Sequence, residues 1–415
     1  MPTETFHFFA QRPHAFRRGT RGLSRHHFAS STDVFDASGD PFASCLVLKT
    51  KLTGATGRLA SNSVEYSRVR DSRKSRHSCG RRPAQVYGVP DERVFVRLLV
   101  TGGGGFIGAH TADIALRSGH EVTVLDDLST GLAQRFASLA DAGARTVLGD
   151  IRDPKARADA LEGVHAVVHL AAQGSVPRSV EDPEATLDVN VRATDALLED
   201  MAERGLHRLV LASSAAVYGD LERVPHVEDV VGERQSPYAD SKWANEQAVL
   251  RLRQEGWEAL ALRFFNVYGP GQRNDGPNTG VIPIFVSRMS NGTAPTLHGG
   301  GAQTRDFVHV DDVARLLIDL ATKPWTSPPR HVYNVGTGVQ TSLLDLVHTI
   351  ADALRARGVD GEHLEPTVSP ARSGDLSHSL ADVTAIAADL GWQAEVTLAE
   401  GLADLVDAQV LQGPN

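Results

Sequence analysis

Residues Val96 to Gly108 read VRLLVTGGGGFIG, a short apolar run that breaks into a glycine-rich turn, and AHTADIALRSG continues from Ala109 to Gly119. The pattern predicts a β-strand, a tight turn and an amphipathic helix closed by a glycine. Gly102, Gly105 and Gly108 space as G-x-x-G-x-x-G, a variant of the dinucleotide fingerprint. In that fingerprint the first glycine allows the turn, the second lets backbone approach a pyrophosphate, and the third permits close helix-to-strand packing. Phe106 and Ile107 open the helix, whose free N–H groups and partial positive charge suit phosphate. A glycine-rich turn by itself can be purely steric, so the flanking text decides.

That text repeats the same rhythm. EVTVLDD (121–127) is a second strand, and Asp126 at its end lies 18 residues beyond Gly108, where a ribose-binding carboxylate belongs. With Asp127 beside it, such a carboxylate bonds a 2′-hydroxyl and repels a 2′-phosphate, which favours NAD over NADP. RTVLGDIRD (145–153) and HAVVHLAAQ (165–173) read as two further parallel strands. Ligands of open α/β sheets lie beyond the carboxyl ends of the strands, so Asp150, Ile151, Ala171, Ala172 and Gln173 are expected to line the cofactor cleft. A long helical stretch around Asn190 follows. The predicted fold class is α/β: a Rossmann-like, doubly wound parallel sheet with a smaller C-terminal substrate-binding lobe.

Next come RLVLASSAAVYGD (208–220), a strand delivering Ser213 and Ser214, and SPYADSKWANEQA (236–248). Tyr238 and Lys242 stand four apart, which on a helix puts both on one face about one turn apart. A free phenol with a pKa near 10 is a poor base at neutral pH. A neighbouring ammonium favours the phenolate, so Tyr238 can exchange a proton with a substrate hydroxyl while Lys242 also reaches the nicotinamide ribose. Ser214 completes the hydrogen bond to that hydroxyl. A bare Y-x-x-x-K is weak; downstream of the fingerprint and a serine-bearing strand it becomes a catalytic candidate.

The rest of the composition narrows the setting. The chain has 415 residues and a net charge of -9, but residues 1–94 hold 16 Lys+Arg against 8 Asp+Glu, and the remainder 26 against 43. Both cysteines, Cys45 and Cys79, fall in the first segment, so the other 321 residues contain no thiol nucleophile, disulfide or thiolate metal site. Residues 1–94 lack a sustained period and are crowded with Arg, Ser, His and Gly; they read as a disordered basic extension, or as upstream sequence wrongly joined to the frame. A nucleic-acid arm and an organellar transit peptide are the rival readings. Eight acidic residues and irregular aromatics oppose them, so no nucleic-acid partner is expected. No apolar run approaches a membrane span, and a cytoplasmic location is expected. His169, His309 and His331 show no ligand spacing and read as structural; no metal site is expected.

From about residue 96 to 410 the chain resembles the extended short-chain dehydrogenase/reductases of the NAD-dependent epimerase/dehydratase family, most of all the UDP-glucose and UDP-N-acetylglucosamine 4-epimerases. The resemblance rests on TGGGGFIG, LDDLSTG, GDIRD, HLAAQGSVPRS, SSAAVYG, YADSK, RFFNVYGPGQ, TRDFVHVDDVA and ARSGDLSHSLAD. It implies NAD as cofactor, with Asn190, Tyr238 and Lys242 among its contacts, and 4-epimerisation of a UDP-hexose through a transient 4-keto sugar. The dehydratase branch carries an acidic pair directly after the hydroxyl residue, and a decarboxylase branch an acidic residue in the same turn. Ala215 and Ala216 stand there instead. Another nucleotide-sugar dehydratase, reductase or glucuronate epimerase remains the alternative, with a non-catalytic NAD- or nucleic-acid-binding protein a remote one.

The charge asymmetry sets off residues 1–94, and the resemblance implies an NAD-binding domain over 95–270 and a nucleotide-sugar lobe over 271–415 with some segments returning to the first domain. Ser175, Ser214, Asn266, Val281, Arg305, Arg372, Asp375 and Ser379 fall at its substrate contacts, the arginines suited to diphosphate by their planar fork. Ser379 aligns with a site where some 4-epimerases carry a bulky tyrosine beside the sugar C2, so N-acetylated hexoses are expected to fit. A homodimer is implied, packed through the Tyr238 helix and the helix near Asn190. Asp311 and Asp312 read as capping carboxylates of the helix they begin.

Overall fold

The computed structural model describes residues 95–275, 279–325, 330–371 and 377–411. The extension over 1–94 lies outside them, as do Arg372 and Asp375. Thirteen strands are described: β1 Arg97–Thr101, β2 Glu121–Asp126, β3 Arg145–Leu148, β4 Ala166–His169, β5 Arg208–Ser214, β6 Glu258–Phe264, β7 Asn266–Tyr268, β8 Thr296–His298, β9 Thr304–Arg305, β10 Phe307–His309, β11 Val332–Val335, β12 Thr341–Ser342 and β13 Thr367–Ser369. Seven of them form one sheet in the order β11-β6-β5-β4-β1-β2-β3, with every pair parallel.

The strands read as near-continuous apolar runs because helices cover both faces. Successive side chains alternate between those faces. Leu98, Val100, Val124, Val168, Val210 and Leu262 pack on one side with Val313, Leu316 and Leu317 of the helix Val310–Thr322. Leu99, Leu125, Val167, Leu209 and Leu211 pack on the other with Leu197 and Met201 of Ala193–Glu203 and Val249 of Pro237–Gln254. Leu98 and Leu99 are both fully buried, and each such side chain contributes roughly 1.5–3 kcal/mol. The chain order reverses between β1 and β4, which sets the crevice at the carboxyl ends of those strands.

A second core gathers helices Val281–Ser290, Leu343–Arg355 and Leu398–Leu411 around Phe285, Met289, Leu346, Ile350, Leu402 and Val406. Short strand pairs β7–β10, β8–β13 and β9–β12 frame this lobe. The helix Val310–Thr322 and strand β11 leave it and return to the main sheet, where β11 pairs with β6. No described helix is long and apolar enough to cross a membrane.

Asp311 and Asp312 do not cap their helix. The N-cap is His309, whose ring nitrogen accepts from the N–H of Asp311 at 3.3 Å. Asp311 instead bonds His110, and buried Asp312 accepts from the N–H groups of Glu395 and Val396 at 3.1 and 3.0 Å. Tertiary partners brought from distant segments outcompete the local capping geometry, although both carboxylates still sit favourably in the first turn.

Candidate active site

The fingerprint glycines occupy positions that a side chain would block. Gly102 has φ +70°, and a Cβ there would lie 2.8 Å from the nitrogen of Ala171. At Gly108 a Cβ would come within 2.2 Å of the Gly102 carbonyl oxygen, so the helix Phe106–Arg117 packs directly on the turn. Gly105 is the N-cap and offers no side-chain cap, leaving the first N–H groups, those of Phe106, Ile107 and Gly108, without an intrahelical partner. A cavity of about 330 Å³ opens beside Gly105 and Phe106, with Arg135, Arg178 and Arg273 on its wall. A bare glycine cradle, free N–H groups and basic side chains are what a dinucleotide pyrophosphate requires, so these residues fit NAD. Neither this cavity nor a larger hollow of about 680 Å³, lined by Asp113 and Leu405, is lined by Ser214, Tyr238 or Lys242.

At the end of β2 the buried carboxylate of Asp126 accepts from the N–H groups of Gly104 at 2.9 Å and Leu128 at 2.7 Å. Burial raises its pKa, and those two bonds pull it back. A carboxylate has about four acceptor sites, so capacity is left for a ribose diol. Asp127 is exposed and bonds the N–H of Ser129. Asp150 is held by Arg152, which also reaches Asp188, while Ile151 packs into the core. Ala171, Ala172 and Gln173 are partly exposed at the end of β4.

Asn190 differs from the expected regular helix. It sits in a single π-helical stretch, Asp188–Arg192, and is fully buried. Its Oδ1 accepts from the N–H of Gln173 at 2.7 Å, and its Nδ2 donates to the Gln173 carbonyl and to Ser241 Oγ, both at 3.0 Å. The side chain thus braces the cleft from behind, tying the end of β4 to the helix that carries Tyr238.

Ser214 ends β5 and caps the short 3₁₀ turn Ala215–Tyr218, its Oγ accepting from the N–H of Ala216 at 3.1 Å. That leaves the hydroxyl proton available toward Tyr238, whose pKa the Ser214 side chain lowers. Pro237 at N1 and Ser236 as N-cap start the helix Pro237–Gln254 one residue before Tyr238, fixing its side chain at the mouth of the sheet. Burial raises the Tyr238 pKa, and the Ser214 side chain opposes the rise. Lys242 lies one turn on, with Nζ 5.9 Å from the Tyr238 ring centroid and 2.9 Å from the Ala212 carbonyl oxygen, to which it donates. Burial pushes its pKa down to about 8. His169 beside it is bonded to Thr101 and Thr194 and held to about 3 by burial and by Lys242, so it is neutral and structural.

The lobe contributes a second set. Asn266 donates from Nδ2 to the Asp306 carbonyl oxygen at 3.1 Å, and Arg305 from Nη1 to that of Thr304 at 2.8 Å. The N–H of Ser379 bonds the same Thr304 oxygen at 3.1 Å, so β9 and the strap carrying Ser379 lie side by side. Ser175 is buried and caps the helix Val176–Glu181; Val281 begins its own helix half-buried. Between these elements lies a residue the sequence did not single out. Asp306, fully buried, accepts four hydrogen bonds, from Thr337 N and Oγ1, Gly338 N and Ala381 N, at 2.7 to 3.2 Å. Its donors come from segments 31 to 75 residues away, which no local pattern reveals. Among the described residues no group of acidic, His or Cys side chains is arranged to hold a metal.

Residues 98–336 match the model of the NAD dependent epimerase/dehydratase family, and the chain belongs to that family. Within it the chain is similar to UDP-glucose 4-epimerases. The enzyme of that name from Mycolicibacterium smegmatis is 39% identical over 316 residues, covering 75% of this chain and 98% of the relative. Among solved structures, the UDP-N-acetylglucosamine 4-epimerase of Methanobrevibacter ruminantium, in complex with UDP-N-acetylmuramic acid, superposes with TM-score 0.70 at 30% identity, covering 77% of this chain and 99% of its own. The UDP-glucose 4-epimerase of Thermus thermophilus, complexed with NAD, gives TM-score 0.66 at 35% identity, covering 77% and 100%.

Proposed function

We propose that the chain interconverts the C4 epimers of a UDP-hexose, glucose with galactose and, by the same reaction, N-acetylglucosamine with N-acetylgalactosamine. The observation that carries this reading is Tyr238 set against Ser214, whose side chain lowers its pKa, with Lys242 one turn along the helix, beside a turn whose residues after Ser214, Ala215 and Ala216, offer no acid or base. Such a site can move one proton at a hydroxyl and do little else. NAD, when bound in that cradle, would supply the reversible hydride acceptor that the C4 carbon needs. Tyr238, as phenolate, takes the C4 hydroxyl proton and later gives it back; Ser214 orients that hydroxyl, and the charge of Lys242 favours the phenolate. No net oxidation results, so the cleft must keep its cofactor between half-reactions.

In this reading Gly102, Gly105, Phe106, Ile107, Gly108, Asp126 and Asp127 hold the cofactor with Asp150, Ile151, Ala171, Ala172 and Gln173, and Asn190 supports them. Ser175, Asn266, Val281, Arg305 and Ser379, together with Arg372 and Asp375, receive the nucleotide sugar. A homodimer pairs the helix Pro237–Gln254 and its neighbours across a twofold. Val176 and Val180, 42% and 62% exposed on the adjacent helix, favour this, and a monomer in sedimentation would refute it. The extension over 1–94 takes no part in catalysis, and the enzyme acts in the cytoplasm.

NMR of the purified chain with UDP-glucose, UDP-N-acetylglucosamine and UDP-glucuronate in separate tubes tests the reaction. Appearance of the C4 epimer without an accumulating ketone is expected, with the same result when residues 1–94 are deleted. An accumulating 4-keto or dehydrated sugar would replace this reading with a dehydratase or reductase.

A further inference from the structure

Three consecutive residues at the end of β5 meet three residues spaced by one turn on the helix Pro237–Gln254. Ala212 receives the bond from Lys242, Ser214 faces Tyr238 and lowers its pKa, and Ser213 donates from Oγ to Glu246 Oε1 at 2.5 Å. Glu246 is fully buried. Arg263, 1% exposed on β6, stands opposite Ser213 in the strand register and grips the same carboxylate with both arms, Nε to Oε1 at 2.9 Å and Nη2 to Oε2 at 2.7 Å. The remaining Nη1 donates to the Glu228 carbonyl oxygen at 2.9 Å, and the guanidinium lies 4.8 Å from the Tyr218 ring. A buried ion pair is a poor source of net stability, because desolvation offsets its attraction; its best-attested use is to fix registry.

We propose that Glu246 is a positioning residue for the reaction: clamped by Ser213 and Arg263 on two adjacent strands, it sets the height of the helix so that Tyr238 meets Ser214 and Lys242 meets Ala212. The proposal rests on the epimerase reading for its kinetic consequence. A slide of about 1 Å along the helix axis would part both pairs at once, and misplacement of that size costs on the order of 100-fold in rate. Glu246 also places a negative charge one turn from Lys242 and raises its pKa against the effect of burial. The other charged or titratable groups around this cluster are Tyr238 on the same helix, neutral His169 on β4, Arg263 on β6, Tyr218 and Glu228 beside Arg263, and His331.

Two variants of the full chain test this, Glu246→Gln and the double variant Glu246→Leu/Arg263→Met, which leaves no orphaned guanidinium if the single one folds poorly. Both are expected to lose about 10- to 100-fold in kcat for UDP-glucose, with KM within about threefold and NAD still bound. A merely structural role would lower the amount of folded enzyme and leave kcat per NAD-loaded site unchanged, so rates are normalised to bound NAD. The Lys242 titration, followed by ¹⁵N NMR because the chain holds only six lysines, reports separately the loss of the Glu246 charge. Its midpoint is expected to fall in both variants. Wild-type kcat per NAD-loaded site in the double variant would overturn the proposal, and an unmoved Lys242 midpoint would remove the electrostatic part of the Glu246 role. The NMR arm reads out even if the wild-type chain epimerises none of the sugars, so failure of the epimerase reading is seen separately.

Discussion

Lys242 donates its ammonium to the carbonyl oxygen of Ala212 at 2.9 Å while only 4% exposed to solvent. Burial there holds its pKa to about 8, below the ordinary 10.5. Activity that depends on this charge should therefore fall as pH rises through about 8. The linkage to stability has the opposite sense. The native state gives up its proton before the unfolded state does, so between pH 8 and 10.5 the unfolded chain binds more protons and the contribution of Lys242 to stability rises, by roughly 3 kcal/mol over the window. Lys242→Met should accordingly be more stable than wild type near neutral pH, with the gap narrowing above pH 8 in urea titrations. A gap that widens with pH would contradict this.

Tyr238→Phe removes the phenolic proton carrier beside Ser214 and leaves the glycine cradle untouched. Turnover should drop by about 10²- to 10⁴-fold while the purified variant keeps its bound NAD, measured by absorbance after denaturation. Loss of the cofactor along with activity would assign Tyr238 to binding instead.

Ser379 is small and lies beside Thr304 on the strap next to Arg305. Replacing it with tyrosine should abolish turnover of UDP-N-acetylglucosamine while UDP-glucose turnover stays within a few-fold. Equal effects on both sugars would show that position 379 does not read the C2 substituent.

Asp306→Ala would strand four donors that Thr337, Gly338 and Ala381 now direct at one carboxylate. A loss of about 2–4 kcal/mol in urea unfolding is expected, with KM for the nucleotide sugar rising more than kcat falls, because Arg305 and the Ser379 strap lose their common anchor. An unchanged midpoint would mean that water replaces the carboxylate at no cost.

The parts of the site that were legible in the sequence are those whose chemistry is local. Gly102 and Gly108 are forced by a turn and a close approach a few residues long, and Tyr238 and Lys242 by one turn of helix. Asn190 reads as an ordinary helical residue because a π-helical turn has no composition of its own, and its three bonds go to Gln173 and Ser241, 17 and 51 residues away. Glu246 could have been found by extending the four-residue step once beyond Lys242. Its partner Arg263 could not, since only strand pairing brings β6 beside Ser213. Asp311 and Asp312 mislead for the same reason: the local pattern is that of a cap, and besides Arg315 on the same helix the partners of these carboxylates, His110 and the Glu395–Val396 backbone, lie far off in the chain.

The return of β11 to the main sheet also bears on how the protein is made. Until Val332–Val335 has left the ribosome, β6 is the outermost strand, and its Ala261 to Phe264 backbone has no neighbour on that side. That segment is buried and mostly apolar in the finished fold, the kind of bare edge on which nascent chains pair with one another. Interposing the lobe's early segments between β6 and β11 thus lengthens the interval during which a growing chain is vulnerable, and it makes any product truncated before residue 332 a candidate for chaperone capture or aggregation.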